Sequence, residues 1–314
     1  MTQQTATQRE LNIQTIEHKG LKWVNIEQPS SAEMEFLRQN YPFHPLDLDD
    51  CVSRVQLPKL DEYEDYIFLV LHFPIFNEKS RVTVPSQVSI FVGANYLVTV
   101  HQGNLRPFTK SFTDCLQSEE VRERFMGHGS GRLLYRILDG LVDYCFPILT
   151  AIIRKVDAVE ERVFEDSARE TVRELSMLRR DLISYRRIIR PQIDVLELLE
   201  EKEFPFLKVN PDVYFGDLAD HTRRIWVELE ELKEVLDSLS DSHASLTSHH
   251  TNEVMRVLTI IATIMLPLSV LSGLYGMNVR LPLESSRLAF VFVLLMMLGI
   301  AGGMLLFFRF RRWI

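Results

Sequence analysis

From Val257 to Tyr275 the chain carries no charged side chain for about nineteen residues, close to the roughly twenty that a helix rising 1.5 Å per residue needs to cross a hydrocarbon core. A second uncharged run of about twenty-one residues, Leu288 to Phe308, meets the same length requirement. The chain is therefore read as crossing a membrane twice. Lipid offers no hydrogen bonds, so each polar group inside these runs needs a protein or water partner.

On a helical wheel Asn252, Met255, Thr259, Thr263, Leu266, Val270 and Gly273 share one stripe. Two readings fit it: packing residues whose hydroxyls bond back to their own backbone, or the lining of a pore. Pro267 has no N–H for the carbonyl of Thr263, so a kink is expected there that would turn Ser269 towards the same axis.

The 314 residues are 46% hydrophobic and 25% charged, an average over two unlike parts, since residues 1–250 read as ordinary soluble protein. Met1 to Gln14 is polar without an apolar core segment, so no signal peptide is expected and the first part is placed in the cytoplasm. Two spans return the far end to the same side, in keeping with Arg309, Arg311 and Arg312 after the second span; Arg280 and Arg287 in the outer loop count against it. Cys51, Cys115 and Cys145 are odd in number and widely spaced, as reduced thiols packed as small hydrophobes would be. A net charge of -8 argues against a nucleic-acid partner and for cations.

Along the chain, Lys22 to Glu27 alternates as a strand, and Ser31 to Asn40, opened by a Ser-Ser-Ala-Glu capping pattern, reads as a helix. Tyr66 to Phe73 and Gln87 to Val100 are β-type runs, the second broken into a hairpin by Gly93-Ala94-Asn95, so this part is a small α/β domain. After about Phe108 the pattern is helical. Arg132 to Phe164, with a kink expected at Pro147, and Thr171 to Glu201 should pack as a hairpin. Glu203 to Pro211 reads as a loop, and from Asp212 nothing stops a helix before the membrane. Such a helix would be about 64 residues, roughly 95 Å long, with a coiled-coil type seam of Ile225, Leu229, Leu232, Leu236 and Leu239. One pore-type helix per chain cannot enclose a channel, so a symmetric ring of subunits is required.

Tyr275-Gly276-Met277-Asn278 at the outer end of the first span, a second span soon after and a basic-aromatic tail resemble the CorA family of divalent-cation channels, within the two-span metal-ion transporters. The run from Thr251 to Thr259 resembles that family too, as do His44-Pro45-Leu46, Leu48-Asp49-Asp50, Pro58-Lys59 and Tyr66-Ile67-Phe68. The resemblance implies an α+β cytoplasmic domain, residues 1–211, made of a small α/β sandwich (about 1–130) and a long helical hairpin (about 131–205). A very long stalk helix (212–256) joins it to the first transmembrane pore helix (257–278), an outer loop (279–287), a second transmembrane helix (288–308) and a basic tail (309–314). The whole would be a funnel-shaped homo-oligomer, a pentamer, in the lipids of the inner membrane with both termini cytoplasmic.

What the family's motif implies for chemistry is a selectivity filter of Gly276, Met277 and Asn278. Magnesium is small, octahedral and slow to shed water, so amide oxygens of Asn278 would hold the hydrated ion, with Gly276 permitting the turn that aims them. Matching positions below the filter would line the pore: Asn252, Met255, Leu258, Thr259, Leu266, Ser269 and Gly273, with Met255, Leu258 and Leu266 as apolar constrictions. The family also implies an inter-subunit regulatory metal site, for which Asp50 and Asp217 match; facing carboxylates repel until a divalent ion fills the gap. Magnesium is thus both cargo and regulator, with cobalt or nickel as further cargo and no organic cofactor. The loop after Asn278 departs from the family: Val279 stands where an aromatic is common, and two arginines face one glutamate.

Glu228, Glu230, Glu231, Glu234 and Asp237 fit either cation attraction near the inner mouth or a solvated helix face. His249-His250 lacks the i, i+4 spacing of a chelate. A zinc transporter of the same superfamily is the alternative within the class, against which Met277 counts; a non-conducting membrane-anchored sensor or scaffold is the alternative outside it. No nucleophile-base spacing, phosphate-binding glycine loop or metal triad marks an enzyme.

Overall fold

The computed structural model describes residues 11–53, 56–162, 168–277 and 288–313 and divides into two compact units, Met1–Ser240 and Asp241–Ile314. In the first, β1 (Ile13–His18), β2 (Leu21–Glu27), β3 (Lys59–Glu62), β4 (Tyr66–Asn77), β5 (Val82–Gly93) and β6 (Tyr96–His101) form one sheet in the order β1-β2-β6-β5-β4-β3. Every neighbouring pair is antiparallel except β2 and β6. The first nine residues of β4 are all buried because each face of the sheet is covered, and side chains alternate between the faces. Ile67, Leu69, Leu71 and Phe73 enter one core; Tyr66, Phe68 and Val70 enter the other. The smaller core lies under α1 (Ser31–Asn40) and α2 (Pro45–Val52), which supply Met34, Leu37, Leu48 and Cys51.

The capping box of α1 is present, with Ser30 as N-cap and Glu33 closing it. The hairpin expected within Gln87 to Val100 is present as β5 and β6, joined through Ala94 and Asn95. Gly93 is needed there, because a Cβ would stand 2.5 Å from Cζ of the Tyr96 ring. A buried polar chain crosses this sheet: Trp23 Nε1 donates to Thr99 Oγ1 (3.2 Å), Thr99 Oγ1 to Asn25 Oδ1 (2.9 Å), and His101 Nε2 lies 2.9 Å from that same oxygen. Gly103 N–H donates to His101 Nδ1 (3.0 Å), so the proton of the neutral ring sits on Nε2.

The larger core lies between the sheet's other face and α3 (Arg106–Gln117), α4 (Glu119–Met126), α5 (Ser130–Arg162), α6 (Ala168–Glu201) and the first part of α7 (Pro211–Tyr275). α5 is assigned as one helix through Pro147. The fully buried Tyr185 hydroxyl of α6 donates to Cys145 O of α5 at 2.7 Å. Ile225, Leu229, Leu232, Leu236 and Leu239 are all buried in this same core, so the seam read from the sequence is covered by its own chain. Ion pairs tie α6 to α7 beside it: Arg179 to Asp237, Arg186 to Glu230, and Glu197 to Arg223 at 3.0 Å. As numbers rise along α6 they fall along α7, the mark of an antiparallel pair.

In the second unit α7 continues to Tyr275 without interruption at Pro267, and α8 (Ala289–Phe310) follows. Both are long and apolar enough to cross a membrane, and both leave most of their apolar surface uncovered. α8 closes with Arg312 N–H donating to Arg309 O (3.0 Å) and Trp313 N–H to Phe308 O (2.9 Å). Arg312 adopts a left-handed φ of 57°, and the Trp313 ring stacks on Phe308 at 5.7 Å. These are the two hydrogen bonds and the apolar contact of a Schellman motif, with arginine where glycine is usual.

Candidate functional site

On α7 beyond residue 257, Ile260 is buried and Ile264, Pro267, Leu268, Leu271 and Tyr275 are half-buried. At 100° per residue these six fall on one side of the helix. Asn252, Met255, Leu258, Thr259, Leu266, Ser269 and Gly273 are all exposed and centre on the opposite side. The predicted pore positions thus lie within a broad face that one chain leaves uncovered, together with Val257, Ile261, Met265 and Val270. Thr259 Oγ1 donates to Met255 O (2.7 Å) and Thr263 Oγ1 to Thr259 O (2.6 Å). Back-bonding of this kind is what the packing reading of these hydroxyls expects; it also consumes the hydroxyl proton and leaves oxygen lone pairs outward, so it is compatible with either reading of the stripe.

Gly273 sits inside the helix, where glycine costs about 1 kcal/mol relative to alanine, yet a Cβ there meets nothing within 4 Å. No packing within one chain explains the residue. Gly276 N–H donates to Ser272 O (3.0 Å) and Met277 N–H to Leu274 O (3.2 Å), closing the helix in a turn. A Cβ on Gly276 would lie 3.1 Å from Ser272 O, crowding that turn. Asn278 and the outer loop 279–287 lie outside the described residues.

The two predicted sensing aspartates stand on different elements. Asp50, on α2, pairs with Lys59 Nζ at 2.8 Å, and Lys59 also reaches Asp61 Oδ2 at 2.5 Å; both lysine and Asp61 come from β3. Burial opposes the charge on Lys59, but the hydrogen bonds it donates to Asp50 and Asp61 outweigh it and hold the ammonium above its ordinary pKa. Beneath them Asp47 is buried and accepts from Tyr66 Oη at 3.3 Å. Burial raises the Asp47 pKa, with hydrogen bonding from Tyr63 opposing.

Asp217, on α7, accepts from Tyr135 Oη at 3.4 Å and lies 3.8 Å from His221 Nε2. Burial pushes Asp139 of α5 up, as do the charges of Asp143 and, more weakly, Asp217. Asp217 therefore belongs to an acidic face that includes two residues of α5. Among the described residues of one chain Asp50 and Asp217 share no partner. Among the described residues no three His, Cys, Asp or Glu side chains of one chain converge as a metal site. The oxygen donors are of the hard type that a magnesium ion takes, but Asp50 already has a cationic partner.

Of the acidic group on α7, Glu230 and Asp237 are held by arginines of α6, so they are structural partners rather than an open cation funnel. Glu231 and Glu234 remain exposed, as do His249 and His250. Sequence reasoning missed Asp61, Tyr135, Asp139 and Asp143. Asp139 and Asp143 stand four apart on a helix, a spacing that signals a shared face; nothing in the sequence links Tyr135 to Asp217.

An α/β domain with a helical hairpin, a helix running on into an apolar segment with one uncovered oxygen-bearing face, and a second apolar helix define a two-span membrane protein. The chain belongs to the CorA-like Mg2+ transporter protein family, whose model matches residues 18–312. It is similar to the cobalt/magnesium transport protein CorA of Thermotoga maritima, with 32% identity over 301 residues that cover 93% of this chain and 83% of that one. The solved structure of the CorA magnesium transporter from Methanocaldococcus jannaschii matches with a TM-score of 0.83 and 26% identity, covering 95% of this chain and 93% of that one. The cytoplasmic domain of ZntB from Vibrio parahaemolyticus, at 18% identity and a TM-score of 0.62, covers 73% of this chain and 88% of that one and shares the fold.

Proposed function

We propose that this chain forms a homopentameric channel that passes magnesium, and with it cobalt or nickel, across the inner membrane into the cytoplasm. The observation that carries the reading is the exposed face of α7, from Asn252 to Gly273, lying opposite the covered one in a chain of this family. Copies arranged with that face inward would enclose a path whose walls offer carbonyl, hydroxyl and amide oxygens without fixed charge. At its outer end Asn278 amides would hold the hydrated ion, with Gly276 and Met277 forming the turn that presents them. Met255, Leu258 and Leu266 would close the path by dewetting when the helices approach. Entry is driven by the membrane potential, at about 2.3 kcal/mol per charge per 100 mV, so about twice that for a divalent ion.

Gating would come from the cytoplasmic side. Asp50 of one subunit and Asp217 of its neighbour would share a divalent ion, whose charge removes their repulsion and favours the closed ring. In this arrangement 1–211 is the cytoplasmic domain, 212–256 the stalk, 257–278 and 288–308 the spans, and both termini are cytoplasmic.

The test is metal uptake into sealed liposomes holding the purified full chain, comparing magnesium, cobalt and zinc for the native protein and Asn278→Ala. Magnesium entry that is abolished in Asn278→Ala supports the channel and its filter together. Zinc entry without magnesium would move the chain to the zinc branch, and no entry of any ion at any internal magnesium level would leave the scaffold reading.

A further inference from the structure

We propose that Lys59 is a resident competitor for the divalent cation at Asp50, so that the ion fills this site by exchange with an ammonium group. The inference rests on the reading of Asp50 as a sensing residue and adds to it a residue that sets the threshold and the charge selectivity.

Lys59 is placed for this by two independent contacts. Its ammonium stands over the buried Phe68 ring of the smaller core, Nζ 5.3 Å from the ring centre, a cation–π contact that depends on neither carboxylate. That ammonium bridges Asp50 at 2.8 Å and Asp61 at 2.5 Å. A divalent ion arriving at Asp50 would meet a positive charge already seated, and the two repel at any distance that lets both touch one carboxylate. The ammonium has a second seat. Released from Asp50, Lys59 keeps Asp61, two residues on along β3 and on the same face.

Exchange of this kind has two consequences. The site fills at a higher ion concentration than a bare carboxylate pair would, because an ion pair is broken as it fills. It also sorts ions by charge. A monovalent cation gains nothing by displacing an ammonium of equal charge already at hydrogen-bonding distance, whereas a divalent ion brings twice the charge to the same oxygens.

The experiment measures the magnesium concentration for half-maximal thermal stabilisation of the full chain in detergent, with and without added potassium chloride at constant ionic strength. Lys59→Met keeps an unbranched side chain of similar length and removes the charge; its midpoint should fall about fivefold, the equivalent of an ion pair of about 1 kcal/mol at a partly exposed site. In that variant potassium should raise the midpoint, while the native protein and Lys59→Arg should not respond to it. Asp61→Asn removes the second seat and should raise the midpoint, which keeps the idea testable should Lys59→Met fold poorly. A native response that survives Asp50→Asn would overturn the sensing role of Asp50. A native response abolished by Asp50→Asn, with Lys59→Met keeping the native midpoint or staying indifferent to potassium, would overturn the exchange alone.

Discussion

His101 should make the protein lose stability in mild acid, and the loss can be worked from its surroundings. The ring is buried and accepts from Gly103 N–H through Nδ1, while Nε2–H donates to Asn25. A second proton would have to sit on Nδ1, against the Gly103 N–H, in a site closed to water. Burial accordingly lowers the His101 pKa from 6.5 to about 4. Between those values the unfolded chain binds a proton that the folded chain refuses, so the contribution is complete above 6.5 and is lost as pH falls. The full gap is worth about 3.4 kcal/mol at about 1.36 kcal/mol per pH unit. From pH 7.5 to pH 5 the loss is about 2 kcal/mol, because the folded ring is still almost wholly neutral at the lower pH. His101→Gln keeps a donor towards Asn25 and cannot titrate. Urea denaturation of the full chain in detergent, followed by tryptophan fluorescence, should show the native protein losing about 2 kcal/mol more than the variant over that interval. Trp23 belongs to the same hydrogen-bonded chain and reports on it directly. Equal losses in both proteins would refute the argument, as would a native protein indifferent to pH.

Further outcomes follow from single contacts. Gly273→Ala should leave thermal stability unchanged or raised by up to about 1 kcal/mol, since a methyl meets nothing in one chain; Gly273→Leu should stop magnesium uptake in liposomes without unfolding the protein, and normal uptake would remove Gly273 from the path. Tyr185→Phe should cost about 1 kcal/mol in denaturant unfolding, because the Cys145 carbonyl loses its buried hydroxyl donor. Exchanging the charges of Arg186 and Glu230 in one double variant should restore most of what either single reversal loses, with each single loss near 1 kcal/mol for a partly exposed pair.

The parts of the fold that could be read in advance are those where one rule dominates. An uncharged run of membrane length has few alternatives, and α8 lies within two residues of the second run. β4 was legible as far as Phe73 because both faces are covered, which makes its apolar run continuous. Its continuation was hidden by Pro74, which stands directly opposite Pro85 of β5. Neither proline breaks the pairing, since β3 and β6 do not reach that rung and no ladder partner needs the missing N–H groups. β1 and β3 are short edge strands with polar exposed positions, and α2 hides behind a proline, three aspartates and an unusual histidine cap whose Nδ1 accepts from Leu46 N–H. The uncovered face of α7 was half legible. Spacing put Asn252 to Gly273 on one stripe, but the opposite stripe could be recognised as covered only from burial. The two aspartates proposed as sensors were legible as acids, not as partners: the Asp50–Lys59 bridge joins a helix to an edge strand, and Asp217 meets Tyr135 across 82 positions.

The close of α8 has a mechanical meaning. A plain helix end can slip along the membrane normal by a residue or so at small cost, because mismatch is penalised by only fractions of a kcal/mol per Å. Here the backbone turns through Arg312, stacking the Trp313 ring on Phe308, and the same last turn carries Arg309, Arg311 and Arg312, with Arg311 over the Phe307 ring at 5.9 Å. The helix is thereby wider at its foot than along its shaft, with an indole suited to the headgroup layer and three guanidinium groups that resist the hydrocarbon. If α8 crosses the bilayer as proposed, this foot is a flange: it sets the depth at which the helix rides, and any movement that opens a path must tilt or turn around that fixed level instead of pistoning through it.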